Sequence, residues 1–387
     1  MPDSHDGKLS TQTTIDSQPL PHGFDLPVMK TISTKKYVWW HRIRLKKLIL
    51  FIISFYLFTL AITLMKDGAR SLTPLFSNIY VIGNMINCVG FGWLFAYIIM
   101  SGSPVAAASL TFFDAGLISK LDAYAMITGS RFGASFIVLF IGFLYVLRGR
   151  DRSTSLSMGL LSLIVTFSTY LPGFILGVLF LQTGWLDNIQ PHGGALLRSG
   201  IDLMISPLAE VSAVLLPEWA IFFLGLGITL FSFHLFDKCL PQMTLKESQL
   251  GRLSRLVYKP IIMFLLGALI TMISMSVSLS LSILVPLSDR GFVRRENVIP
   301  YIMGANITTF IDTLLAALLL GNSSAFTVIF IGILSITIIS ILILITTYGR
   351  YRSIILNSIH WITANNKNLA IFMVSIFVLP ILLMLIR

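Results

Sequence analysis

Uninterrupted apolar blocks decide what this chain can fold into. Residues 48–64, 156–181 and 326–347 contain no Lys, Arg, Asp or Glu, and blocks of about 17 residues or more can cross a hydrocarbon core about 30 Å thick. In lipid every backbone N–H and C=O must be satisfied within the protein, which leaves helices or a closed barrel. A barrel would show segments of about ten residues with alternating polarity, and these blocks do not alternate. The expected fold class is an all-α polytopic membrane protein. Composition agrees: 55% of residues are hydrophobic and 12% charged, against about 25% charged in a soluble domain.

The net charge of +11 raises the question of nucleic acid, and its placement answers it. Basic residues gather beside the apolar blocks: Lys35, Lys36, Arg42, Arg44, Lys46 and Lys47; Arg148, Arg150 and Arg152; Lys238, Lys246, Arg252, Arg255 and Lys259; Arg350, Arg352 and Lys367. That is a positive-inside pattern rather than a groove-binding patch, so the bilayer is the expected partner and nucleic acid is not. Placing all four clusters in the cytoplasm orients the spans and makes residues 1–47 a disordered basic cytoplasmic tail. The regions 81–147 and 260–320 each hold too many residues for one crossing, and the surplus predicts re-entrant hairpins or broken helices. The segment 195–216 carries Arg198, Asp202 and Glu210 and reads as a helix lying at the outer interface.

An internal repeat adds the most. Ala61-Ile62-Thr63-Leu64 is echoed by Gly227-Ile228-Thr229-Leu230 at an offset of 166. Met100-Ser101-Gly102-Ser103 is echoed by Met275-Ser276-Val277-Ser278 at an offset of 175, and that same offset separates Gly116 from Gly291 and Gly129 from Gly304. The topology starts the first copy inside and the second outside. The sequence therefore divides into repeat 1 over 48–182, an extracytoplasmic loop and interfacial helix over 183–217, inverted repeat 2 over 218–347, and a cytoplasmic loop with a last span over 348–387. Inverted repeats with broken helices are the architecture of secondary transporters, which bind substrate near the midplane.

At these residues the chain resembles the sodium-dependent phosphate cotransporter family. Each half of that family carries Gln-Ser-Ser-Ser, a Gly about a dozen residues on, then Gly-Ala-Asn-Ile-Gly-Thr-Thr. Here the second half offers Met275-Ser276-Val277-Ser278, Gly291 and Gly304-Ala305-Asn306-Ile307-Thr308-Thr309; the first offers Met100-Ser101-Gly102-Ser103, Gly116 and Gly129-Ser130-Arg131. The resemblance implies sodium-coupled symport of inorganic phosphate in a cell membrane, inner or plasma, with sodium as coupling ion and no other cofactor. It carries over Ser101, Ser103, Ser276 and Ser278 as substrate-binding residues. The departures are Met100 and Met275, where the family has glutamine, and Arg131, where it has asparagine. A thioether cannot donate a hydrogen bond and is a poor sodium ligand. A guanidinium repels sodium but suits phosphate, which adds Arg131 to the substrate set.

Charge at membrane depth is functional by default, which singles out Asp114, Arg131 and Asp312. Asp312 follows Asn306 by nearly two helical turns, and Thr309 lies between them. Amide, hydroxyl and carboxylate oxygens are hard ligands, so Asn306, Thr309 and Asp312 form a candidate cation site. A structural pair of Asp312 with Arg131 across the pseudo-two-fold axis stands beside that reading. No Gly-x-Ser-x-Gly, Walker loop or His-Glu-x-x-His is present, so an enzyme is not expected. Two further readings stay open: the same scaffold with another anion or proton coupling, and a membrane scaffold or regulatory protein that no longer transports.

Overall fold

The computed structural model describes residues 45–74, 84–147, 152–186, 205–212, 214–239, 259–277, 279–281, 284 and 294–386. Among these there is no strand, and seven helices are long and apolar enough to cross a membrane. The chain is an all-α, multi-pass membrane protein. The N-terminal tail, the Arg148–Arg150 and Lys246–Arg255 clusters, Ser278 and the stretch 285–293 lie outside the described residues.

The span expected as repeat 1 holds α1 (Leu45–Ala69), α2 (Met85–Ile99), α3 (Ser103–Asp114), α4 (Lys120–Leu147) and α5 (Arg152–Thr183). The span expected as repeat 2 holds α6 (Glu218–Cys239), α7 (Pro260–Ser274), α8 (Arg295–Thr308), α9 (Ile311–Leu320) and α10 (Ser323–Leu342). Between the repeats, residues 205–212 are helical, and Ile205 is buried with Leu60, Leu64 and Ile221. Of the expected interfacial helix, residues 195–204 and 213 are outside the described set.

The repeat offset is written into the helix boundaries. α2 and α7 are both 15 residues long, about 22 Å at 1.5 Å per residue and too short to cross. Both end on a methionine with positive φ, Met100 at 56° and Met275 at 51°. In α2 the end is a Schellman turn: Ser101 N–H donates to Ala96 O at 3.2 Å and Met100 N–H to Tyr97 O at 3.3 Å. In α7 one bond, Met275 N–H to Thr271 O at 2.7 Å, closes the turn. The left-handed backbone costs a non-glycine residue about 1 kcal/mol or more, and it is met at matched positions. In repeat 1 the chain then turns into α3, where Pro104 occupies the first turn, the place that tolerates a missing N–H. α3 spans about 18 Å and is buried continuously from Pro104 to Phe112. α2 and α3 thus form the hairpin the surplus residues predicted.

Matched glycines seat these hairpins. A methyl at Gly92 would strike the Met126 carbonyl, and one at Gly267 the Tyr301 carbonyl; Gly129 stands against the Val89 carbonyl and Gly304 against that of Phe264. Each contact in repeat 1 recurs at the same offset in repeat 2. Close backbone approach through small residues is how helices associate where lipid competes for apolar surface.

α1 and α6, the repeat counterparts, pack antiparallel: Ser54 and Ser232 exchange hydrogen bonds of 2.7 Å to each other's carbonyls, while a methyl on Gly225 would meet Ala61 O and one on Gly68 would meet Glu218 O, each at 2.8 Å. α10 continues through a π-helical turn (Ile343–Thr347) into α11 (Tyr348–Ala364), a stretch expected as a loop. Ile355, Ile359 and Ile362 are buried there at helical spacing, a periodicity that the neighbouring Arg350 and Arg352 obscure. α12 (Asn366–Leu385) then packs antiparallel along α2, where Tyr97 OH donates to Ile376 O at 3.1 Å and Asn87 Nδ2 to Met384 O at 2.8 Å.

One symmetry fails. α4 runs unbroken for 28 residues, whereas its counterpart is interrupted at Thr309–Phe310 between α8 and α9. Phe310 N–H turns to Ile307 O at 3.5 Å, which releases the Asn306 carbonyl that an unbroken helix would have engaged. Tyr170 of α5 supplies the missing donor, its hydroxyl 2.8 Å from Asn306 O. A backbone break at membrane depth persists only where a neighbour re-satisfies it in this way.

Candidate functional site

The hairpin tip of repeat 1 and the α7 end of repeat 2 open onto one cavity of about 230 Å³. Its lining includes Met100, Ser101, Gly102 and Ser103 from the first, Ser274, Met275, Ser276 and Val277 from the second, and Thr309 from the helix break. Three of the four expected substrate serines therefore meet in one place; Ser278 is the fourth and lies outside the described residues. His234 and Asp237, on the last turns of α6, complete the polar part of the wall. From sequence His234 reads as a lone histidine at a helix end. Its i, i+3 spacing from Asp237 on one helix face was the available signal.

The tips are built to present polar groups. α3 starts at Ser103 with only Gly102 before it, and that cap has no side chain to occupy the first-turn N–H groups. Orphan donors of this kind favour an anion. On the opposite tip Ser276 Oγ accepts from Leu279 N–H at 3.4 Å and Ser276 O from Ser280 N–H at 3.0 Å, so Ser276 starts the helical stretch that follows. Behind it Thr271 Oγ1 donates to Ser280 Oγ at 2.7 Å, and Ser280 shares a 2.7 Å bond with the Tyr301 hydroxyl.

Below the tips sits a buried charge pair. Arg131 Nη2 lies 3.4 Å from Asp312 Oδ1, with the two side chains only 3% and 1% exposed. Arg131 Nη2 also donates to Thr313 Oγ1 at 2.6 Å, and that hydroxyl donates to Asp312 Oδ1 at 2.8 Å. Arg131 Nη1 reaches Ser103 Oγ at 3.4 Å, which connects the pair to the cavity wall. The guanidinium carbon stands 4.7 Å from the centre of the Phe310 ring, a cation–π contact, and Phe310 stacks in turn on Tyr170. Among the described residues, Arg131 Nε and Asp312 Oδ2 find no hydrogen-bond partner.

Asn306, Thr309 and Asp312 have different neighbours. Asn306 Nδ2 donates to Thr166 Oγ1 at 3.1 Å, Thr309 faces the cavity, and Asp312 Oδ1 is taken by Arg131 and Thr313. The helix break at Thr309–Phe310 falls between Asn306 and Asp312. Asp114 stands apart, bound to Lys66 Nζ at 2.9 Å and to Asn322 Nδ2 at 2.9 Å, so it ties the ends of α1 and α3 to the turn before α10.

Among the described residues no group of three His, Cys, Asp or Glu side chains is placed to hold a metal ion. Hydroxyls line the cavity, and the Arg131 guanidinium reaches its wall through Ser103. No curated protein and no solved structure gives a significant match to the chain. A family model does: residues 228–359, from the middle of α6 into α11, match the family described as Na+/Pi-cotransporter. That match falls on the repeat whose signature is the better kept, and there the resemblance read from Gly304-Ala305-Asn306 is to the sodium-coupled phosphate transporters.

Proposed function

We propose that the chain carries inorganic phosphate across a cell membrane in symport with sodium, by alternating access, and that the anion is held between the tips at Ser101–Ser103 and Ser274–Ser276. The observation that carries this reading is the convergence of two helix-ending tips from oppositely directed repeats on one hydroxyl-lined cavity. Serine hydroxyls can turn a donor toward each phosphate oxygen. The first-turn N–H groups of α3 add fixed donors, and Arg131, by donating to Ser103 Oγ, leaves that hydroxyl's proton for the anion. Sodium is the counter-charge that makes transfer possible: a hydrated dianion loses much solvation on entering the site, and a cation bound beside it offsets the loss. Each ligand then favours the occluded state that binds the other. Thr309 and the cavity-facing serine oxygens are hard ligands on hand for that ion. The antiparallel pairing of α1 with α6 gives the repeats an axis about which one can rock against the other. In this reading the basic clusters face the cytoplasm, as does the N-terminus.

A second reading, the same scaffold with another anion or with proton coupling, is favoured by one observation. The cavity is lined by Met100 and Met275, where glutamines would coordinate, and by the titratable pair His234 and Asp237.

Radiolabelled phosphate uptake into proteoliposomes tests the first reading. An inward sodium gradient should drive accumulation, potassium should not, and Ser101→Ala and Ser276→Ala should each abolish it. Uptake driven by a pH gradient with no sodium effect would favour the second reading.

A further inference from the structure

The position that repeat 2 fills with an amide, repeat 1 fills with a guanidinium: Arg131 and Asn306 are related by the repeat offset of 175. They behave differently. Asn306 bonds Thr166 of α5, while Arg131 crosses into repeat 2 and meets Asp312 and Thr313. Both charged groups are almost wholly buried, and a carboxylate at that depth needs a counter-charge. A pair built for stability alone would use the two-pronged approach that guanidinium and carboxylate geometry permits. This one does not: a single nitrogen stands at 3.4 Å, Thr313 Oγ1 is shared between the partners, and Arg131 Nε and Asp312 Oδ2 are left over. Around Asp312 the oxygens are those of a carboxylate and a hydroxyl, a hard set suited to an alkali cation.

We propose that Arg131 is a tethered cation, occupying beside Asp312 the place that a free sodium ion takes when the guanidinium is removed. Asp312 is then neutralised by repeat 1 itself, and one coupling cation fewer is drawn from solution for each phosphate carried. The statement about transport rests on the symporter reading; the statement about the site does not, and its test uses no phosphate.

The test is thermal unfolding of the purified full chain in detergent, at constant ionic strength, in sodium, potassium or N-methylglucamine chloride. The proteins compared are wild type, Arg131→Ala and the charge-free Arg131→Ala/Asp312→Ala. Arg131→Ala should melt below wild type in potassium and recover in sodium, with a midpoint that climbs with the logarithm of sodium concentration as a bound ligand requires. The double variant should show only the sodium-minus-potassium shift of wild type. An equal sodium shift in wild type and Arg131→Ala overturns the proposal, as does an enlarged shift that survives in the double variant. Arg131→Ala that cannot be purified even in sodium, beside a double variant that can, also overturns it, because sodium then fails to replace the guanidinium. Failure of phosphate uptake by wild type would refute the symporter reading and leave these outcomes as they stand.

Discussion

Gly267→Ala should unfasten the second hairpin. The added methyl would fall on the Tyr301 carbonyl, with the carbonyl carbon 2.7 Å and the Tyr301 Cα 2.9 Å away. Relaxed carbon–carbon contacts are about 3.5–4.0 Å. Backbone cannot swing aside, so α7 and α8 must part by about 1 Å, a gap that forfeits a quarter to a half of each dispersion contact along the seam. The bond from Thr308 Oγ1 to Ala268 O, 2.9 Å long, spans the same seam and would stretch. The expected cost is about 3 kcal/mol, the upper end of the range for overpacking, and lipid offers no compensating hydrophobic gain. Gly92→Ala should cost a similar amount, because the Met126 carbonyl stands where Tyr301 stands in the other repeat. Gly227→Ala is the control: nothing lies within 4 Å of its methyl, and the helix should gain about 0.5–1 kcal/mol. Melting of the three variants in one detergent ranks them. Gly267→Ala melting as high as Gly227→Ala would refute the packing argument.

Ser54→Ala and Ser232→Ala each remove one of the reciprocal bonds joining α1 to α6; a double-mutant cycle on unfolding should give a coupling of about 1 kcal/mol, as for polar pairs between membrane helices. Tyr170→Phe strands the Asn306 carbonyl at the helix break, so stability should fall by about 1–2 kcal/mol in the same melting assay. Asp114→Ala breaks bonds to both Lys66 and Asn322 and should cost about 1–3 kcal/mol. Lys66→Met should cost under about 1 kcal/mol, because that side chain is 30% exposed. Met275→Gly relieves a left-handed backbone, and denaturation should show a stabilisation of about 1 kcal/mol where Met275→Val shows a loss.

Much of the architecture is legible without coordinates, for a physical reason: lipid demands long apolar helices, and an inverted repeat writes each boundary twice. The offset between Met100 and Met275 locates both tip turns to the residue. The same offset links Gly92 with Gly267, a pair that packs both hairpins and was open to the same comparison. What escapes the sequence is whatever breaks the symmetry. α4 continues where α8 stops, and the difference depends on Tyr170 arriving from another helix to hold a freed carbonyl. The cation triad drawn from Asn306, Thr309 and Asp312 presumed a regular helix, and the break at Thr309–Phe310 falls within it. α11 hides behind Arg350 and Arg352, whose charges mask the period of Ile355, Ile359 and Ile362. His234 and Asp237 share a helix face by their spacing, but that this face lines the cavity is decided by packing.

The proposed phosphate site lies between two opposed tips and is worked by sodium. The most direct measurement is phosphate uptake by proteoliposomes of the wild-type chain, with sodium or potassium outside, repeated with Ser101→Ala and Ser276→Ala. Accumulation that requires sodium and disappears in both variants is the predicted result. Uptake indifferent to sodium, or undiminished when either serine is removed from correctly folded protein, would contradict it.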